Sequence, residues 1–161
     1  MSRHSVELKT NEQIILMREA GLATAAALRE VRKAVRPGIS TLELDAIAEA
    51  TIIAKGGHSN FKLVAGYRHT ICASINDEVV HGIPSADRIL KAGDMISIDA
   101  GAEIGEWNGD SAITVIVPNE DGSQVDSDLV RARQTLSDVT EQSLWVAIAA
   151  LAKAEYLNEV G

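Results

Sequence analysis

Only one cysteine, Cys72, occurs in the 161 residues. No disulfide can therefore close within the chain, and a reducing compartment suits it best. Aromatic side chains make up 3%, which leaves the core to aliphatic residues. Basic residues are outnumbered, 15 Lys and Arg against 23 Asp and Glu, for a net charge of −8. That balance argues against nucleic acid, which is gripped through clustered cations, and against docking on an anionic membrane surface. No apolar run approaches the roughly 20 residues that a spanning helix needs. The opening residues, with His4 among them in a frayed terminus, hold no apolar stretch of a secretory signal. Low-complexity tracts are missing too. What remains is a cytoplasmic globular protein of one domain, residues 1–161. Its 46% apolar and 24% charged content is ordinary for that class.

The pattern along the chain is α+β. Residues 10–36 read as an amphipathic helix, with Thr10 and Gln13 at capping-box spacing. Ile14, Met17, Gly21, Thr24, Leu28, Val31 and Val35 form its apolar stripe. Pro37-Gly38 ends it, and Ser40 with Glu43 caps a second helix on Leu44, Ile47, Ala48 and Thr51, stopped at Gly56-Gly57. The period then shortens. Residues 70–75, 94–100 and 111–117 read as strands, with a turn at Asn76-Asp77. A third helix is expected over residues 123–153, with its 144–152 end buried because that run is apolar nearly all round. Helices packed on one face of a mostly antiparallel sheet account for this order. A long helix followed by Ser40-Thr41-Leu42-Glu43 is echoed weakly by a long helix followed by Tyr156-Leu157-Asn158-Glu159, so the chain is expected to be incomplete.

Asp99 and Asp110 are the most informative residues. A hairpin closing around Ile104-Gly105 would set Asp99 opposite Asp110, Ile96 opposite Ile113 and Ile98 opposite Ser111. Directly opposed side chains have Cβ atoms about 5 Å apart, where like charges destabilise. At an effective dielectric near 20 the repulsion is about 3–4 kcal/mol. A bound cation or a shared proton would relieve it, and two facing carboxylates suit a hard metal. A solvated hairpin end is the alternative, with the repulsion reduced to about 1 kcal/mol.

Several segments together resemble the type I methionine aminopeptidases. They are Ile71-Cys72-Ala73-Ser74-Ile75-Asn76-Asp77-Glu78-Val79-Val80-His81-Gly82-Ile83-Pro84, then Leu90-Lys91-Ala92-Gly93-Asp94-Met95-Ile96-Ser97-Ile98-Asp99, then Trp107-Asn108-Gly109-Asp110-Ser111-Ala112. Arg36-Pro37-Gly38-Ile39-Ser40-Thr41-Leu42 is similar as well. The resemblance implies the N-terminal half of a pita-bread fold, two pseudo-symmetric α+β halves around a dinuclear metal site. It implies that Asp99 binds one divalent ion, that Asp110 bridges two, and that His81 contacts the substrate and stabilises the tetrahedral intermediate. Cys72 and Tyr67 match positions near the pocket for the methionine side chain. The segment Ala65-Gly66-Tyr67-Arg68-His69 departs from the family in lacking a proline after the aromatic.

The implied activity is two-metal hydrolysis that removes initiator methionine, with the N-terminal Met of nascent peptides as substrate. The two ions would be Co, Mn, Fe or Zn, all suited to carboxylate with some imidazole. Members are usually monomeric. The half that supplies the other metal ligands is expected to be missing, leaving this chain inactive alone. Xaa-Pro peptidases share the Asp-to-Asp spacing without the His-Gly-Ile-Pro context. A binding module or pseudoenzyme on half of the fold is the rival from outside catalysis, and it has no chemical need for Asp99, Asp110 and His81. His58 and His69 are expected on surface loops, Glu103 and Glu106 in solvent beside the hairpin turn, and Trp107 and Trp145 in packing.

Overall fold

The computed structural model describes residues 7–120 and 122–160, so His4 lies outside the described residues. The order is α1 (Asn11–Ala34), α2 (Thr41–Ala54), β1 (His58–Ser59), β2 (Ile71–Ile75), β3 (Met95–Ile104), β4 (Trp107–Ile116) and α3 (Ser127–Leu151), with a short 3-10 turn at Phe61–Leu63. Both expected capping boxes form. Thr10 Oγ1 accepts from Gln13 N while Gln13 accepts from Thr10 N, and Ser40 and Glu43 reciprocate in the same way. Each box satisfies helix-end amides that would otherwise lack partners.

β3 is the central strand. It pairs antiparallel with β1 and β2 along one side and with β4 along the other. The alternation along β3 buries Ile96, Ile98, Ala100 and Ala102 completely under the helices, and Ile71 and Ala73 of β2 join them. From the helices come Ala27, Leu28, Val31, Leu44, Ala48 and Ile52. Burying each large aliphatic side chain is worth about 1.5–3 kcal/mol. Small residues let α1 approach: a Cβ on Gly109 would stand 2.5 Å from Gly21 N.

Three expectations need correction. The hairpin closes one position later than Ile104-Gly105: Ile104 pairs with Trp107, and Asp99 faces Ala112 rather than Asp110. Ile96 accordingly faces Val115, and Ile98 faces Ile113. The cause is the turn, where Gly105 (φ 54) and Glu106 (φ 72) are both left-handed, as a two-residue hairpin loop of this hand requires. The 144–152 end of α3 is not buried; Leu144, Trp145, Val146, Ile148 and Leu151 are exposed, and no described residue of α3 is buried, the short 3-10 turn Leu157–Glu159 covering too little of it. The stripe of α1 is buried only from Ala20 onward, and Ile14 and Met17 are exposed.

Candidate functional site

The sheet face away from the helices carries the residues that matter. Register puts Cys72, Asp99 and Ala112 in one row across β2, β3 and β4, and Gly101 beside Asp110 in the next. Side chains two apart on a strand share a face. Asp99 and Asp110 are therefore diagonal neighbours on one face. Gly101 stands between them without a side chain.

Their electrostatics are coupled. Burial first, and the charge of Asp110 second, hold the Asp99 carboxyl above its ordinary range, while the His81 imidazole pulls it down. Cys72, 7% exposed, has its thiol pushed up by burial and then by Asp99, Asp110 and Asp45, against the lowering effect of the nearby Tyr67 hydroxyl. Tyr67 is shifted upward chiefly by burial, then by Cys72, Asp45 and Asp99. The structure thus gathers Tyr67, Cys72, Asp99, Asp110 and His81 into one electrostatic neighbourhood.

His81 is held there by backbone geometry. It is exposed and lies at φ 59, a conformation uncommon outside glycine and often found at functional positions. The next residue crosses tightly over β2. Ala73 N donates to Gly82 O at 2.8 Å, and Gly82 N donates to Ser74 Oγ at 3.1 Å. A Cβ on Gly82 would fall 2.2 Å from Ala73 O, so only glycine fits. Farther along, Glu78 pairs with Arg88, and Arg88 Nη1 donates to Ile83 O at 2.6 Å, which closes the loop.

Four participants were not singled out from sequence: Asp45, Asn60, Gly82 and the Glu78–Arg88 pair. Asn60 Oδ1 lies 2.0 Å from where a Gly101 Cβ would stand, and it is buried with no hydrogen-bond partner. Its Nδ2 donates to Asn108 Oδ1 at 2.9 Å. Asp45, 5% exposed, accepts from Thr70 N and Ile71 N, and its other oxygen lies 3.3 Å from His69 Nδ1. An acid beside the buried Leu44 and Ala48 positions of α2 was the available signal for it. His69 is consequently half-buried rather than a free loop residue, and Glu103 is half-buried with His58 Nε2 3.8 Å away. Glu106 is exposed as expected, while Trp145 is 59% exposed rather than packed.

Comparison with known proteins identifies the family and the fold. Residues 15–161 match metallopeptidase family M24. The chain is 43% identical over 158 residues to methionine aminopeptidase 1 of Mycobacterium tuberculosis, covering 98% of this chain and 56% of that protein. It is 43% identical over 152 residues to the Bacillus subtilis methionine aminopeptidase 1, covering 94% and 57%. The crystal structure of methionine aminopeptidase from Thermotoga maritima superposes with a TM-score of 0.80 at 35% identity, over 89% of this chain and 54% of that one. An Xaa-Pro dipeptidase from Bacillus anthracis, at 20% identity and a TM-score of 0.68, shares the fold. The chain spans about half the length of the curated relatives it matches.

A metallopeptidase family implies divalent metal ions. The donors present fit such an ion as part of a site: two carboxylates on one face, one already disfavoured as an anion by the other, and an unpartnered amide oxygen packed over the glycine between them. Among the described residues, no three His, Cys, Asp or Glu side chains converge to hold an ion by themselves. No helix of the described residues is long and apolar enough to cross a membrane. By sequence over residues 15–161 and by a sheet with its helices on one face, as in half of a pita-bread fold, the chain belongs to metallopeptidase family M24.

Proposed function

We propose that this chain is the N-terminal half of an aminopeptidase that removes the N-terminal methionine of nascent proteins with the help of two divalent ions, Co, Mn, Fe or Zn. The observation that supports it is the shared sheet face. Asp99 and Asp110 lie diagonal to each other, Cys72 and Tyr67 stand beside them, and His81 is near enough to act on the charge of Asp99. Asp99 would hold one ion and Asp110 both. When bound, the ions supply Lewis acidity toward the scissile carbonyl and lower the pKa of the attacking water.

The chain's own residues do the rest. Asp99 and Asp110 would hold and partly neutralise the ions, so the substrate's α-amino group would enter as the neutral amine. Cys72 and the Tyr67 ring wall the pocket for the thioether side chain. Burial and the surrounding carboxylates keep the thiol protonated, so Cys72 packs rather than attacks. The His81 imidazole donates a hydrogen bond to the carbonyl oxygen as that atom gains charge, an interaction strongest in the transition state.

These residues supply two of the proposed ligand carboxylates, and on this reading the remaining donors come from a second half. The test is a chain extended by the second half, assayed for release of methionine from a peptide with a small second residue in the presence of Mn or Co. Activity is expected, and Asp110→Ala is expected to abolish it. Near-normal turnover by Asp110→Ala would overturn the two-ion assignment.

A further inference from the structure

The outer edge of β2 has no strand beside it among the described residues, yet every outward-facing amide on it is occupied. Ile75 N donates to Glu78 Oε2 at 2.7 Å, and Ala73 N donates to Gly82 O at 2.8 Å. Ile71 N donates to Asp45 Oδ1 at 2.9 Å, and Thr70 N donates to the same oxygen at 2.7 Å. A residue's N–H and C=O leave an extended strand on the same side. The Ile71 carbonyl therefore also points outward, and it accepts from Tyr67 Oη at 2.6 Å. Ile71 is gripped twice, by Asp45 at its amide and by Tyr67 at its carbonyl.

Asp45 reaches the same segment a third way. Its Oδ2 lies 3.3 Å from His69 Nδ1, and the His69 ring meets the Tyr67 ring edge-on with centroids 5.8 Å apart. Tyr67 in turn meets Phe61 edge-on at 6.4 Å. A buried carboxylate on α2 thus fixes His69, Thr70 and Ile71, the stretch between Tyr67 and Cys72. We propose that Asp45 is a positioning residue that sets Tyr67 against the Ile71–Cys72 end of β2 and so shapes the substrate-facing wall of the site, acting through the Thr70 and Ile71 amides and the His69 ring.

The proposal rests on reading Tyr67 and Cys72 as that wall, and its test separates the two. Cys72 is the chain's only cysteine, so its alkylation by iodoacetamide reports on the wall alone. In the dilute full chain, Asp45→Ala is expected to speed alkylation by about tenfold or more through local opening. Thr70 and Ile71 amides should exchange faster while Ile98 and Ile113 stay protected. Asp45→Asn, which keeps both the volume and an acceptor oxygen, should restore most of the protection, whereas Asp45→Leu, which keeps volume without an acceptor, should not. Tyr67→Phe, which removes only the hydroxyl, should speed alkylation without unfolding and serves if Asp45→Ala fails to fold. An alkylation rate unchanged in a folded Asp45→Ala chain, or uniform loss of amide protection, overturns the proposal. Methioninol, added at millimolar concentration, should slow alkylation in the parent and not in Asp45→Ala. Failure to protect the parent, with Asp45→Ala still accelerated, instead overturns the wall as a methionine pocket.

Discussion

Asp110 lies across from Gly101, one step down the hairpin from the row in which Asp99 faces Cys72 and Ala112. The two carboxylates are diagonal, at strand positions about 7–8 Å apart, so their side chains can converge or separate according to what lies between them.

The first consequence is a pH dependence. Burial and Asp110 raise the Asp99 carboxyl above its ordinary range. The folded chain then holds that proton more tightly than the unfolded chain. Its contribution to stability is present below the unfolded pKa and is lost as pH rises through the folded one. Asp99→Asn should therefore raise the urea midpoint at about pH 7 and lose that advantage near about pH 3.5, where the parent carboxyl is protonated too. Equal midpoints for both chains at neutral pH would contradict the coupling.

Calorimetric titration of the 161-residue chain with Mn or Co should show weak binding or none. Two carboxylates on one face cannot complete the coordination that such ions favour. A tight isotherm with two ions per chain would show that the described residues hold a complete site.

In a chain extended by the second half, His81→Ala should lower kcat much more than it alters KM. On the proposed role, its hydrogen bond would strengthen only as the carbonyl oxygen gains charge. A rise in KM with kcat preserved would make His81 a ground-state contact instead.

Glycine replacements should rank by what the new methyl meets. At Gly82 it meets the Ala73 backbone carbonyl at 2.2 Å, which cannot move aside. At Gly101 it meets the Asn60 side-chain oxygen at 2.0 Å, which can swing away. Gly82→Ala should cost about 1–3 kcal/mol or more of stability by urea denaturation. Gly101→Ala should cost less and should change the accessibility of Cys72. The reverse order would mean that the Asn60 loop is the stiffer of the two.

The apolar face of α3 should make the chain self-associate and bind hydrophobic dyes, because contiguous exposed apolar surface does so. Leu144, Val146, Ile148 and Leu151 are about half exposed. Size-exclusion chromatography with dye fluorescence reads this directly. A monomer that binds no dye at high concentration would contradict it.

Much of this was legible beforehand, for local reasons. The Thr10–Gln13 and Ser40–Glu43 caps involve residues three apart, and they formed as read. Alternation marks residues 94–100 as a strand and β-branched residues mark 111–117, although β3 and β4 run longer than expected because the hairpin stays paired up to its two-residue turn. Moving the hairpin centre moved the partner of Asp99 by two residues, from Asp110 to Ala112. Since side chains alternate with period two, a two-residue slip keeps the face. That parity is why the carboxylate pair survived a wrong register. Burial of α3 was not legible, because an apolar run shows what a helix could pack against and not whether anything is there. The partners of Asp45 and Asn60 leave no local signal in the sequence, because they lie 24 to 48 residues away.

The contrast between the two borders of the sheet has a further consequence. β2 is sealed by Asp45, Tyr67, Gly82 and Glu78, so no strand can be appended there. β4 has no second strand partner among the described residues, and its ladder with β3 alternates from the tight pair at Ile104 and Trp107. Counting from that pair, the amide and carbonyl of Asp110 itself point to the open border. The sheet can thus grow in one direction only, and the first chain to dock there would zip onto the backbone of the very residue whose carboxylate faces Gly101. A strand docked there would lie directly alongside the two carboxylates, so growth of the sheet would change their surroundings at once.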